Sequence, residues 1–172
     1  MKILGLYNND MAVDVFEWIQ SQRHEIVIKS DRLDVLWCQE QSFDLTISYT
    51  YRYILTPDII EALNNNVVNI HNSYLPWNRG ADPNIWSILN ETPRGVTLHY
   101  IDAKLDHGDI IAQVLLPSVK QDSSESECGI IDDYATLTST YSELDRAAKE
   151  LFKTAFSYYP YWDSMRKSSV DL

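Results

Sequence analysis

Asn69-Ile70-His71-Asn72-Ser73-Tyr74-Leu75-Pro76-Trp77-Asn78-Arg79-Gly80 is the stretch on which the fold of this chain turns. Val67, Val68 and Ile70 lead into it as a buried strand, and a polar run follows that a core strand does not tolerate. Residues two apart on a strand share a face, so Asn69 and His71 project together. One is an amide that donates and accepts; the other is a base that titrates near neutrality. Leu75-Pro76 and Arg79-Gly80 turn the chain. Asp82-Pro83 reads as a helix start, with Asp as N-cap and Pro at the first helical position. A His and an Asn where a strand ends and a helix begins is where an open α/β sheet carries its chemistry.

Before this stretch, strands alternate with helices. Lys2 to Tyr7 reads as a strand, and Asn8-Asn9-Asp10 turns the chain and caps a helix with Met11, Val13, Val15, Phe16 and Ile19 at helical spacing. Glu25 to Lys29 is a second strand, and Ser30-Asp31 opens a second helix with Leu33, Val35, Leu36 and Trp37 as its apolar set. Asp44 to Ser48 is a third strand, followed by an aromatic loop from Tyr49 to Leu55. Thr56-Pro57 starts a short helix to about Leu63, and Val67 to Ile70 is the fourth strand. Such alternation is the signature of a parallel sheet. After the central stretch, Pro83 to Leu89 is a helix carrying Ile85, Trp86, Ile88 and Leu89. Gly95 to Ile101 and Asp109 to Leu116 form a long-looped antiparallel hairpin, which makes the sheet mixed. The expected fold is therefore α/β: an open, twisted, mostly parallel sheet with a C-terminal antiparallel hairpin and flanking helices. The segment 118–132 reads as a mobile acidic, serine-rich loop. The segment 133–158 reads as a C-terminal helix with Leu137, Tyr141, Leu144, Ala147, Ala148, Leu151, Phe152 and Phe156 as its buried stripe.

Composition narrows the function classes. A chain of 172 residues, 45% hydrophobic, fits one domain, and no apolar run approaches the length of a membrane span. The net charge of −11 and the absence of a Lys/Arg cluster argue against a tRNA or DNA partner. Cys38 and Cys128 stand alone without metal-ligand spacing, so a reduced, cytoplasmic protein is the simplest reading.

Asn69 and His71 have a bland reading, a strand-end amide holding a turn and a histidine satisfied by backbone. Their functional reading is acyl transfer: an imidazole handles a proton while an amide bonds a developing oxyanion. Such an imidazole needs a carboxylate, and Asp106 is a candidate in the polar turn Leu105-Asp106-His107-Gly108, with Asp102 and Asp109 as rivals. His107 reads as a solvated loop residue, and His99, alternating with apolar neighbours, as a residue of the exposed face. No nucleophilic serine turn, metal-ligand cluster or phosphate-cradling glycine loop is present, so direct attack of a bound nucleophile on an activated acyl donor remains. The tyrosines at 49, 51 and 53 are either packing residues or the wall of a slot for a planar ligand.

Together these residues resemble the folate-dependent formyltransferase family. The resemblance is carried in order by NIHNSYLP, RGADPNIW, GVTLHYID and LDHGDIIAQ, and runs from the first strand to about Gln113. It implies a Rossmann-like catalytic domain over residues 1–172, with Asn69, His71 and Asp106 as the catalytic set, which chooses among the aspartates. It implies a pterin slot at Tyr53, Ile54, Leu55, Ile101, Asp102 and Leu105, and 10-formyltetrahydrofolate as cosubstrate, with no metal. SYTYRYILTPDII and PWNRGADPNIWSI look most similar to the sugar N-formyltransferases, so the implied acceptor is the amine of a nucleotide-linked amino sugar. Trp77, Asn78, Arg79 and Trp86 are the candidates for its side of the site, Arg79 either on a pyrophosphate or bracing the turn. Methionyl-tRNA formyltransferases resemble the chain too but add a basic C-terminal barrel. Glycinamide ribonucleotide formyltransferases carry a glycine-rich turn where Asn8-Asn9-Asp10 stands. A formyltetrahydrofolate hydrolase would use the same site with water, usually beside a regulatory domain. Asn72 departs from the family's common proline. The sugar enzymes usually carry further C-terminal structure; here either the aromatic tail offers a surface for a homodimer or the chain is a minimal or truncated form.

Overall fold

Strands that are apolar on both faces must be covered on both sides, and this chain divides its helices accordingly. The computed structural model describes residues 1–118, 136–161 and 164. Its strands are β1 (Lys2–Leu6), β2 (Glu25–Lys29), β3 (Leu45–Tyr49), β4 (Val67–His71), β5 (Arg94–Tyr100) and β6 (Ile110–Leu116). They form one sheet in the order β2-β1-β3-β4-β5-β6. The first four strands pair in parallel, and β5 and β6 are added antiparallel. The helices are α1 (Val13–Ser21), α2 (Val35–Gln41), α3 (Pro57–Ala62), α4 (Pro83–Leu89) and α5 (Leu137–Phe156).

One face of the sheet packs Ile3, Leu45, Ile47, Val68, Ile70, Val96 and Leu98 against α1 and α5. The other packs Leu4, Leu6 and Val67 against Cys38 of α2 and Ile59 and Ile60 of α3. Cys38 is a buried free thiol, while Cys128, the acidic segment up to 132 and Trp162 lie outside the described residues. Among the described residues no helix is long and apolar enough to cross a membrane.

Three local expectations are corrected. The second helix begins at Val35, capped by the Asp34 carboxylate on the Trp37 N–H, and not at Ser30-Asp31. The carbonyls of Ser30 and Asp31 are engaged elsewhere: Ser30 accepts from the Asn8 amide at 2.8 Å and Asp31 from the Tyr51 hydroxyl at 2.6 Å. Asp82 precedes α4 but makes no side-chain cap, because its backbone is left-handed (φ 53°). Leu137, expected in the buried stripe of α5, is 50% exposed. The stripe runs through Thr140, Leu144, Ala147, Ala148, Phe152, Ala155 and Phe156.

Helix α4 is inverted relative to its sequence: it buries Asn84 and Ser87, while Trp86 and Leu89 face solvent. The cause is Arg94, buried at the start of β5. A buried guanidinium must be met on every side. It donates to the Pro117 carbonyl at 2.8 Å and pairs with Glu143 of α5 at 3.2 Å, and Asn84 receives its Nε at 3.4 Å.

Phe152 is 1% exposed and packs edge-on to Trp18 at 6.1 Å, joining α5 to α1. Phe152→Ala is expected to cost about 3–5 kcal/mol in urea unfolding, the range for truncating a buried aromatic. Leu36→Ala, on a side chain 68% exposed, is expected to stay within about 0.5 kcal/mol of the parent. Equal effects of the two would contradict this assignment of the core.

Candidate active site

On the α2/α3 face the described helices reach β4 at Val67, and beyond it β4 and β5 turn polar. Register sets the rows. Asn69 lies opposite Ser48 on one side and His99 on the other, and His71 lies opposite Thr97, which pairs with Gln113. Residues opposite one another share a face, so Ser48, Asn69 and His99 form one row and His71, Thr97 and Gln113 the next.

The loop after β4 lies over this face in place of a helix. The Thr97 hydroxyl donates to the Ser73 carbonyl at 2.7 Å and accepts the Leu75 N–H at 3.1 Å. Gln113 donates to the Leu75 carbonyl at 2.8 Å and to Thr97 at 2.9 Å. The loop in turn holds the β5–β6 turn. Gly80 N–H donates to Asp106 Oδ2 at 2.8 Å, and Arg79 Nε to the Asp106 carbonyl at 2.9 Å. Asp106 itself has a left-handed backbone (φ 51°). A Cβ on Gly108 would run into the Tyr100 carbonyl, so only glycine lets the turn close this tightly onto β5.

These supports bring Asn69, His71 and Asp106 together. His71 Nε2 lies 3.5 Å from Asp106 Oδ2. His99, expected on the exposed face, is instead 1% exposed and belongs to the cluster. Its Nε2 is 3.3 Å from Asn69 Nδ2 and 3.8 Å from Asp106 Oδ1. What the sequence offered was Thr97 and His99 alternating with Val96, Leu98 and Tyr100, a polar side on a strand otherwise apolar. Asp102 and Asp109 are exposed, and the Asp102 carboxylate accepts the Lys104 N–H in its own turn. His107 is exposed, as expected.

Both imidazoles are held neutral. Burial pushes the His71 pKa down, against the pull of the Asp106 carboxylate and aided by His99. Burial also pushes His99 down, against the Tyr100 carbonyl and Asp106. His71 bonds the Asn78 backbone, and its Nε2 makes no hydrogen bond among the described residues.

A cleft of about 960 Å³ opens over this cluster. Tyr53, Ile54, Leu55, Ile101, Asp102 and Leu105 all line it, as do Asn69, His71 and Asp106. The aromatic wall is braced: Tyr51 meets Tyr53 edge-on at 5.4 Å, and the guanidinium of Arg32 lies 5.0 Å from the Tyr53 ring. Asn8 accepts the Arg52 N–H at 2.9 Å, tying this loop to the end of β1. The lining also includes the polar residues Asn9, Asn72, Asp82, Asn84 and Tyr141. None of Trp77, Asn78, Arg79 and Trp86 lines the cleft. Trp77 and Trp86 are 47% and 50% exposed, Asn78 bonds Thr92 at 2.7 Å, and Arg79 braces the Asp106 turn. Among the described residues no group of three His, Cys, Asp or Glu side chains could hold a metal ion.

The architecture is that of the formyltransferase fold. It matches glycinamide ribonucleotide transformylase 1 from Symbiobacterium toebii with a TM-score of 0.73 over 90% of this chain and 85% of that one, at 16% identity, a likeness of fold alone. The formyltransferase PseJ from Anoxybacillus kamchatkensis, solved in complex with UDP-4,6-dideoxy-4-formamido-L-AltNAc and tetrahydrofolate, is 38% identical. Its TM-score is 0.73, over 93% of this chain and 75% of that one. The bifunctional polymyxin resistance protein ArnA of Wigglesworthia glossinidia brevipalpis is 39% identical over 84 residues, 48% of this chain and 13% of that protein. The dTDP-4-amino-4,6-dideoxyglucose formyltransferase of Mycobacterium tuberculosis is 37% identical over 86 residues, 50% of this chain and 36% of that protein. The chain thus spans 36% or less of these curated relatives. The family described as formyl transferase matches residues 3–129, and the chain belongs to it.

The buried imidazoles set the acid limb of stability. Unfolded, each titrates near its ordinary value of 6.5; folded, each titrates lower. Below that value the unfolded chain binds more protons, so stability is flat above it and falls with falling pH until the folded values are passed. The slope reaches at most about 1.4 kcal/mol per pH unit for each imidazole, and His24 shifts in the same direction. Urea midpoints are expected to drop between pH 7.5 and 5.5; a constant midpoint would show that neither histidine is buried neutral.

Proposed function

We propose that this chain moves a formyl group from 10-formyltetrahydrofolate to the amine of a nucleotide-linked amino sugar, as a single catalytic unit. The observation that carries the reading is the convergence of Asn69, His71 and Asp106 in the lining of one cleft with the tyrosines at 49, 51 and 53, whose rings can stack on a pterin. It is supported by PseJ, whose structure holds tetrahydrofolate and a UDP-linked formamido sugar.

Pterin and formyl group enter along Tyr53, Ile54, Leu55, Ile101, Asp102 and Leu105. The acceptor is bound at Asn72, Asp82 and Tyr141, polar residues of the cleft lining. That shifts its binding away from the four residues of the 77–86 segment read from sequence. The neutral amine attacks the formyl carbon, a C–N bond forms, and the carbonyl electrons move to oxygen. Asn69 donates an N–H to that oxyanion. The proton lost by the amine passes by way of Asp106 to the bare Nε2 of His71, which becomes a second donor as the negative charge appears. Collapse restores the carbonyl, breaks the bond to folate N10, and returns the proton to that nitrogen.

His71→Ala and Asp106→Asn are each expected to lower kcat by about 100- to 1000-fold, the usual loss for an oxyanion donor, with circular dichroism unchanged. The assay mixes protein and 10-formyltetrahydrofolate with and without a panel of nucleotide-linked amino sugars. Folate release that depends on an amino sugar supports the reading. Release without any acceptor assigns a hydrolase instead, and no release under either condition removes the activity.

A further inference from the structure

The cluster contains an imidazole to which the reaction above gives no part. His99 sits on β5, opposite Asn69 of β4. Its Nδ1 lies 2.8 Å from the carbonyl of Tyr100. A carbonyl only accepts, so Nδ1 carries the proton. In a neutral ring Nε2 is then a lone pair with no hydrogen. That lone pair is 3.3 Å from the Asn69 side-chain nitrogen, and the amide must present its NH2 there, since its oxygen would meet a second acceptor.

We propose that His99 is a positioning residue for Asn69, fixing through the lone pair of Nε2 which way the amide faces, so that an N–H and not the amide oxygen is offered to the cleft. The inference rests on the proposed transfer, in which Asn69 is an oxyanion donor. An amide has two N–H bonds. One is held by His99, and the second stays free for the substrate oxygen. Turned over, the same side chain would set an oxygen against the developing negative charge, and a stabilising contact would become a repulsive one.

The arrangement holds only while His99 is neutral. The charged and titratable groups facing it are Asp106 and Asp102 of the β5–β6 turn and Arg79 of the loop after β4, with the His71 ring at 6.2 Å. Burial outweighs the two carboxylates and keeps the ring uncharged. A second proton on Nε2 would point a donor at the Asn69 NH2 and toward Asp106 Oδ1, at 3.8 Å.

Two measurements test this. The first reads the ring nitrogens of His99 by 15N NMR in the free protein, without any turnover. A neutral ring with the proton on Nδ1 at pH 7.5 is the expected result; a proton on Nε2, or a charged ring, overturns the proposal. The second compares His99→Leu with His99→Gln, whose amide oxygen can stand in for the Nε2 acceptor. His99→Leu is expected to lower kcat by about 10- to 100-fold, short of the loss for deleting a donor outright, with KM for the folate within about threefold. His99→Gln is expected to recover most of the rate. Equal slowing of both variants, with both folded, would make His99 a packing residue and overturn the proposal. If His99→Leu does not fold, His99→Gln at near-parental kcat supports it and a loss as large as that of His71→Ala overturns it. If the parent protein transfers no formyl group, the transfer reading fails, while the ring tautomer still decides what holds Asn69.

Discussion

Two neighbouring polar side chains, Thr97 buried on β5 and Gln113 half-buried beside it on the edge strand β6, are the constraint from which the site follows. A hydroxyl or amide removed from water is costly unless its hydrogen-bonding capacity is met. Among the described residues no helix covers that face of β5 and β6, and a helix would bring few free backbone groups in any case. The loop after β4 brings the Ser73 carbonyl and both backbone groups of Leu75, and the two side chains take all three. A loop with free backbone groups and a sheet with free side chains thus satisfy one another, and the loop is fixed. Once it is fixed, Gly80 N–H and Arg79 stand where they can hold the Asp106 turn. The position of the carboxylate is therefore a consequence, two steps removed, of polar residues inside a strand.

Much of this was legible from the chain. Every strand and helix of the described residues appears where periodicity and turn residues put it, with ends shifted by a few residues at most. Asn69 and His71 could be placed on one face from the two-residue repeat alone. The boundary that moved furthest, the start of α2, moved for a non-local reason: Asn8 and Tyr51 use the carbonyls of Ser30 and Asp31. Nothing within 30–41 announces that.

What the sequence hides is set by neighbours distant in the chain. His99 was read as exposed because strand alternation gives two faces but does not say which one a neighbour covers. Only the pairing of Asn69 with His99 reveals that. Trp77 and Trp86 are candidates for the acceptor side from the resemblance, yet both lie outside the lining of the cleft. Helix α4 is turned by the needs of Arg94, which sets Asn84 inward and Trp86 outward. A buried cation outranks hydrophobic patterning in orienting a short helix, because an unmet guanidinium costs more than an exposed indole. That ranking can be argued from sequence only if Arg94 is known to be buried.

The free site is one proton short, and this bears on how the proposed transfer gains its selectivity for the transition state. His71 Nε2 and the Asp106 carboxylate face each other at 3.5 Å with no hydrogen between them. A charged imidazole at that distance would gain about 5 kcal/mol from the carboxylate at an effective dielectric constant of 20. Yet burial still holds the ring below its ordinary pKa, so desolvation exceeds the attraction. One more negative charge nearby adds to the attraction and works against the desolvation. The proposed oxyanion is such a charge, and the attacking amine supplies the proton. The imidazolium is then favoured when the tetrahedral intermediate exists and disfavoured before and after. An interaction realised only at that point lowers the barrier without tightening the ground state. His99 gains nothing from the same event, because its lone pair is already occupied by Asn69. Two histidines of like burial around one carboxylate thus divide their work by what the second nitrogen meets: a hydrogen already in place for His99, an empty position for His71.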